Sequence, residues 1–94
     1  MGRLFDIIRE LVVAADRYVI GQHAVELLEE RGIMEWQVVV GVADATSAAE
    51  RPEAVPNPTV ELLESLPDGA EVKAVWSHLR QSGVAKLVTV HFLD

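Results

Sequence analysis

Three histidines, His23, His78 and His91, are the side chains of this chain whose ordinary titration falls near neutrality. Four cations, Arg31, Lys73, Arg80 and Lys86, are spread along the same stretch. Together these types could move protons and hold an anionic group; their spacing does not establish that they converge. No His-x3-His pair occurs, so no metal site is expected. The absence of cysteine excludes disulfides, thiolate metal sites and cysteine catalysis. Neither a phosphate-cradling glycine loop nor a nucleophile elbow is present, and no cofactor is expected. Trp36 and Trp76 read as core or interface anchors, because basic residues do not interleave with them as on a base-stacking platform.

His23 and Arg31 bracket the clearest element in the sequence. At helical spacing, Ala24, Val25, Leu27 and Leu28 share one face, opposite Glu26, Glu29 and Glu30. Gly32 suits the left-handed residue that ends a helix, with Ile33 folding back onto Leu28. Arg31 projects into the apolar stripe and His23 sits at its edge beside Leu27, about 12 Å apart along the helix. Arg31 either caps the last carbonyls, where the dipole favours a cation, or enters the core and meets an acceptor there.

Around that helix, Leu4 to Tyr18 reads as a first helix, followed by a short break at Val19-Ile20-Gly21. Met34 to Ala43 is open between helix and strand: Val38-Val39-Val40 favours strand, while Trp36, Val39, Val40 and Ala43 fit a helical face. A weak edge strand is expected near Thr46 to Arg51. Strands follow over Thr59–Leu66, Ala70–Leu79 and Val84–Leu93, joined by Pro67-Asp68-Gly69 and Arg80-Gln81-Ser82-Gly83. The last two strands show no clear solvent face, so the sheet needs two covers. Helices supply one. The first helix or a second protomer would supply the other, and a homodimer is therefore expected.

Ninety-four residues, half of them hydrophobic, suffice for one domain (1–94) with a packed core. The net charge is −7, with four Lys/Arg against eight Asp/Glu in residues 1–46 and four against seven in 47–94. RNA stays open as a substrate but is disfavoured, since such binding draws on clustered cations. No apolar run approaches a membrane span. Asp6, Arg9 and Glu10 interrupt what would be a signal-peptide core. A cytoplasmic protein without a membrane partner is expected.

In order along the chain stand His23-Ala24 opening a helix, Arg31-Gly32-Ile33 closing it, Pro56-Asn57-Pro58, Pro67-Asp68-Gly69 and Lys86-Leu87-Val88-Thr89-Val90. From about Tyr18 to Asp94 this pattern resembles the phage-associated domain of unknown function 4258 family, which is similar to the RelE/BrnT-type toxin fold. The resemblance implies an α+β domain: two to three N-terminal helices packed on a C-terminal antiparallel meander of three to four strands. It makes residues 34–43 helical and implies a history as an mRNA-cleaving toxin, with an antitoxin-type protein as a partner. On that reading His23, Arg31 and His91 would be catalytic in a metal-independent ribonuclease, and Lys73, Arg80 and Lys86 would bind substrate. Leu27 stands where relatives often carry a second arginine, and Lys73-Ala74 where a strand histidine is common. These departures point to altered or lost activity. The readings are thus a degenerate or weak ribonuclease-type toxin, a non-catalytic and homodimeric interaction module, or a small-molecule binding domain.

Overall fold

The computed structural model describes residues 3–93. Met1 and Gly2, at the start of the expected domain, and Asp94, at the end of the family-like region, lie outside the described residues. Helix α1 (Arg3–Arg9) runs into a π-helical turn (Glu10–Ala14) and then strand β1 (Tyr18–Ile20). Helices α2 (Gln22–Arg31) and α3 (Glu35–Gly41) follow, then strands β2 (Thr46–Arg51), β3 (Thr59–Ser65), β4 (Glu71–Leu79) and β5 (Val84–Phe92). The architecture is α+β, with three α-helices and one five-stranded mixed sheet among the described residues. Its strand order is β1-β5-β4-β3-β2.

The meander β2 to β5 forms as expected, antiparallel throughout. The fifth strand is a correction. Residues 18–20 do not end a helix or form a break; they pair in parallel with Ala85–Leu87 of β5. The expected first helix over 4–18 ends at Arg9, and the wider turn after it carries Ala15 N–H to the Glu10 carbonyl at 2.9 Å. Leu4, Ile8 and Val12 are buried, whereas Val13, Ala14 and Ala15 are exposed. Asp16 adopts φ 56°, a left-handed state that aspartate tolerates better than most residues. The chain then turns so that Tyr-Val-Ile, good strand formers, meets the edge of β5 and satisfies backbone groups that would otherwise face water. Arg17 secures this junction, donating from Nε to the Gly83 carbonyl and from its terminal nitrogen to that of Ser82.

One hydrophobic core lies between the helices and one sheet face. That face consists of Val60 and Leu62 of β3, Val72, Ala74 and Trp76 of β4, and Ala85, Leu87 and Val90 of β5. Ile8, Ala24, Leu28 and Val38 cover it from the helices. The helices therefore supply a single cover, and the first helix lies on the same side as the others. The opposite face carries the register rows Thr59–Ser77–Lys86, Glu61–Val75–Thr89 and Leu63–Lys73–His91. Ser77 is the buried member of these rows, its hydroxyl donating to the Pro58 carbonyl.

Helix α2 ends as its sequence requires. Gly32 takes φ 68°, its N–H reaches the Glu29 and Leu28 carbonyls, and Ile33 N–H donates to Leu28 at 2.9 Å. At the start of α3, Met34 N–H donates to the Gln37 side chain at 2.9 Å, satisfying a group that the helix leaves open.

Candidate functional site

The sequence-derived site residues fall into separate neighbourhoods. His23 and Arg31 lie on α2, which packs over β5 on the covered side of the sheet; both are exposed. That corrects the placement of Arg31 in the apolar stripe and of His23 at its edge. Ala24 and Leu28 alone of that stripe are fully buried, and Arg31, the last residue of the helix, is exposed with its guanidinium 4.2 Å over the Phe92 ring. A cation can lie flat on an aromatic face while staying hydrated, which makes entry into the core unnecessary.

On the uncovered sheet face, Lys73 and His91 are cross-strand partners, with Cβ atoms about 5 Å apart by this pairing. Lys73 Nζ is also 3.5 Å from Glu61, which pairs with Arg51 in turn. These two cations hold the Glu61 carboxyl below its ordinary value against the opposing effect of burial. Lys86 lies on the same face, two register rows away. Arg80 sits in the β4–β5 loop, about 20 Å along β4 from Lys73, beside a cleft of about 570 Å³ shared with Pro56, Asn57 and Gln81. His78 is half-buried, not exposed as its place beside a loop suggests. The structure therefore joins Lys73 to His91 but leaves His23, Arg31 and Arg80 elsewhere. No group of three or more metal-binding side chains occurs among the described residues.

A different surface has the character of a binding site. Helix α3 buries Gln37, Val38 and Gly41; of the Trp36–Val39–Val40–Ala43 face, Val39 packs against the core while Trp36, Val40 and Ala43 are exposed. Trp36 is 55% exposed, Val40 52% and Met34, just before the helix, 61%. Val25, Leu28, Ile33, Met34 and Trp36 line a groove of about 390 Å³ between α2 and α3, bordered also by Glu29 and Glu35. Large apolar side chains clustered in solvent beside a concave surface commonly mark contact sites. The sequence signal was there: Met34 to Ala43 is apolar at nearly every helical angle. It did not say which side would be covered.

Sequence reasoning also missed Glu64. Its signal is the alternation Val60, Leu62, Glu64, Leu66, which sends a carboxyl to the core side. It is 2% exposed, and Trp76 Nε1 donates to Oε2 at 3.3 Å. Oε1 has no hydrogen-bond partner among the described residues. Burial pushes this carboxyl up to about 8, while the Trp76 bond acts in the opposite direction. Gly41 makes the close packing possible, since a Cβ there would stand 2.6 Å from Oε1. Glu64 thus lies beneath α3, on the far side of that helix from Trp36.

No family model, curated protein or solved structure significantly matches the chain.

Proposed function

We propose that this chain is a non-catalytic protein-interaction domain that docks a partner through the outward side of α3 and the adjoining groove. The observation that carries the reading is that α3 is apolar on both sides: Val38 and Val42 enter the core while Met34, Trp36 and Val40 meet solvent. A helix apolar all round normally has a cover on each side. The test is affinity enrichment from source cells with the parent and with Trp36→Asp/Val40→Asp, both verified as folded by circular dichroism. A partner held by the parent and lost by the variant supports the reading; equal recovery by both removes α3 from it.

The reading includes a homodimer formed through the uncovered sheet face, where Val75 and Val88 are half-buried and Leu63 is 41% exposed. It also includes membership of the family named above and its RelE/BrnT-type architecture, an antitoxin-type partner and a cytoplasmic location. The ordered motifs and the helices stacked on an antiparallel meander support the family reading. For location the support is narrower: no described helix is long and apolar enough to cross a membrane.

One juxtaposition favours a second reading, a weak ribonuclease. His91, a proton-transfer group, adjoins Lys73, with Arg51 and Lys86 on the same open face. A base next to phosphate-binding cations is the minimum such chemistry needs. Growth arrest on induced expression, relieved by His91→Ala at equal soluble yield, would support it. Unimpaired growth at high expression would leave the interaction reading alone.

A further inference from the structure

Resting on the interaction reading above, we propose that the α2–α3 groove receives an amphipathic helical segment of a partner protein, its apolar stripe flanked by lysine and arginine. The floor supplies the apolar half of this match through Leu28, Ile33 and Trp36. Its border supplies the charge. Glu29 of α2 and Glu35 of α3 edge the groove, and Glu26 and Glu30 are exposed on α2, within a chain of net charge −7. Charge complementarity of this kind selects partners and steers their approach.

The acidic border also discriminates between occupants. A second copy docking here about a two-fold axis would bring its own acidic border against this one, and like charges in apposition oppose the contact. Anionic lipid headgroups meet the same repulsion. A basic, leucine-bearing helix does not. The ten residues of α2 rise about 15 Å, a span that accommodates nearly three turns of a partner helix lying alongside.

The test uses two synthetic peptides of about 15 residues, long enough to hold helical structure, with the same leucine stripe at i, i+3, i+4 and i+7. One fills the remaining positions with lysine and alanine, the other with glutamate and alanine. Binding is read by nuclear magnetic resonance from the indole N–H of Trp36, with buried Trp76 as an internal control. The lysine peptide is expected to shift Trp36 saturably and the glutamate peptide to leave it in place. Glu29→Lys/Glu35→Lys should weaken the lysine peptide about tenfold or more at low salt, with the difference shrinking as salt is added. Met34→Ala, which leaves the Trp36 reporter in place, should weaken it at any salt. Equal shifts from both peptides, or no effect of the charge reversal, would overturn the basic partner while leaving the interaction reading intact. A Trp36 signal that ignores both peptides but moves with protein concentration would give the groove to a second copy. If neither peptide nor concentration moves Trp36, this partner chemistry is wrong; the interaction reading falls with it only if the enrichment experiment also fails.

Discussion

Glu64 places an ionisable group where ionisation is most costly. The unfolded chain loses this proton near the ordinary value of 4.5, whereas the folded chain keeps it to about 8. Across that interval the folded state holds one more proton, so stability is full below about 4.5 and falls as pH rises toward about 8. The gap corresponds to at most about 5 kcal/mol, a large share of what a domain of this size possesses. Glu64→Gln keeps the volume and an acceptor for Trp76, and should remove most of that slope. Urea unfolding of parent and variant between about pH 5 and about pH 8 checks this; parallel profiles would remove Glu64 as the cause. Arg31 belongs at the other extreme. Exposed, it counts the Phe92 ring among its contacts, and a double-mutant cycle of Arg31→Ala and Phe92→Leu should give a coupling of about 0.5–1 kcal/mol for that pair. A coupling of several kcal/mol in the same assay would mean that the pair does far more than lay a cation on a ring.

At the scale of elements, local chemistry and tertiary partners decide different boundaries. The end of α2 is local: Gly32 at φ 68° has nothing within 4 Å of an added Cβ, so Gly32→Ala meets only the conformational cost of the left-handed state. A loss of about 1–2 kcal/mol in thermal or urea unfolding is expected; no loss would mean that the chain exits α2 differently. The end of α1 is not local. Its apolar recurrence runs on past Arg9 in the sequence, yet β1 forms because β5 presents an edge with backbone groups to satisfy. Phe5 N–H is likewise held from a distance, by Glu50 of β2 at 2.9 Å. The strands of the meander were legible almost to the residue, since proline-, aspartate- and glycine-bearing turns bound them; Ala70 N–H bonds the Asp68 carboxyl at 3.0 Å as that turn requires. The unclear facing of the last strand has a simple origin. A register shift after Val75 of β4 leaves Val88 as an extra residue in β5, so the inward set runs Ala85, Leu87, then Val90.

At the scale of the molecule, the asymmetry between the two sheet faces sets the expectations. One face is sealed by helices. The other mixes Val75, Val88 and Leu63 with Arg51, Glu61, Lys73 and His91. Cations and a carboxylate on one surface can pair across a two-fold axis, unlike the acidic border of the groove. Sedimentation velocity over rising concentration is expected to show a reversible dimer, and Val75→Asp/Val88→Asp to hold the chain monomeric without unfolding it. A monomer at every concentration would reserve this face for something else, and would remove the sequence-based reason for a homodimer.

The α+β class was what the resemblance implied; by itself, the sequence determined the position of α2 with its glycine stop and the strands from Thr46 onward. Those features follow from periodicity and turn chemistry, which act over a few residues. Tertiary structure decided what periodicity cannot encode. It gave residues 18–20 to a strand, because a distant edge needed a partner. It turned α3 so that Val38 and Gly41 face the sheet and Trp36 faces water, because Gly41 alone allows close approach to Glu64. It also separated His23 and Arg31 from His91, because residues on a covering helix and on the opposite sheet face lie on two sides of one core.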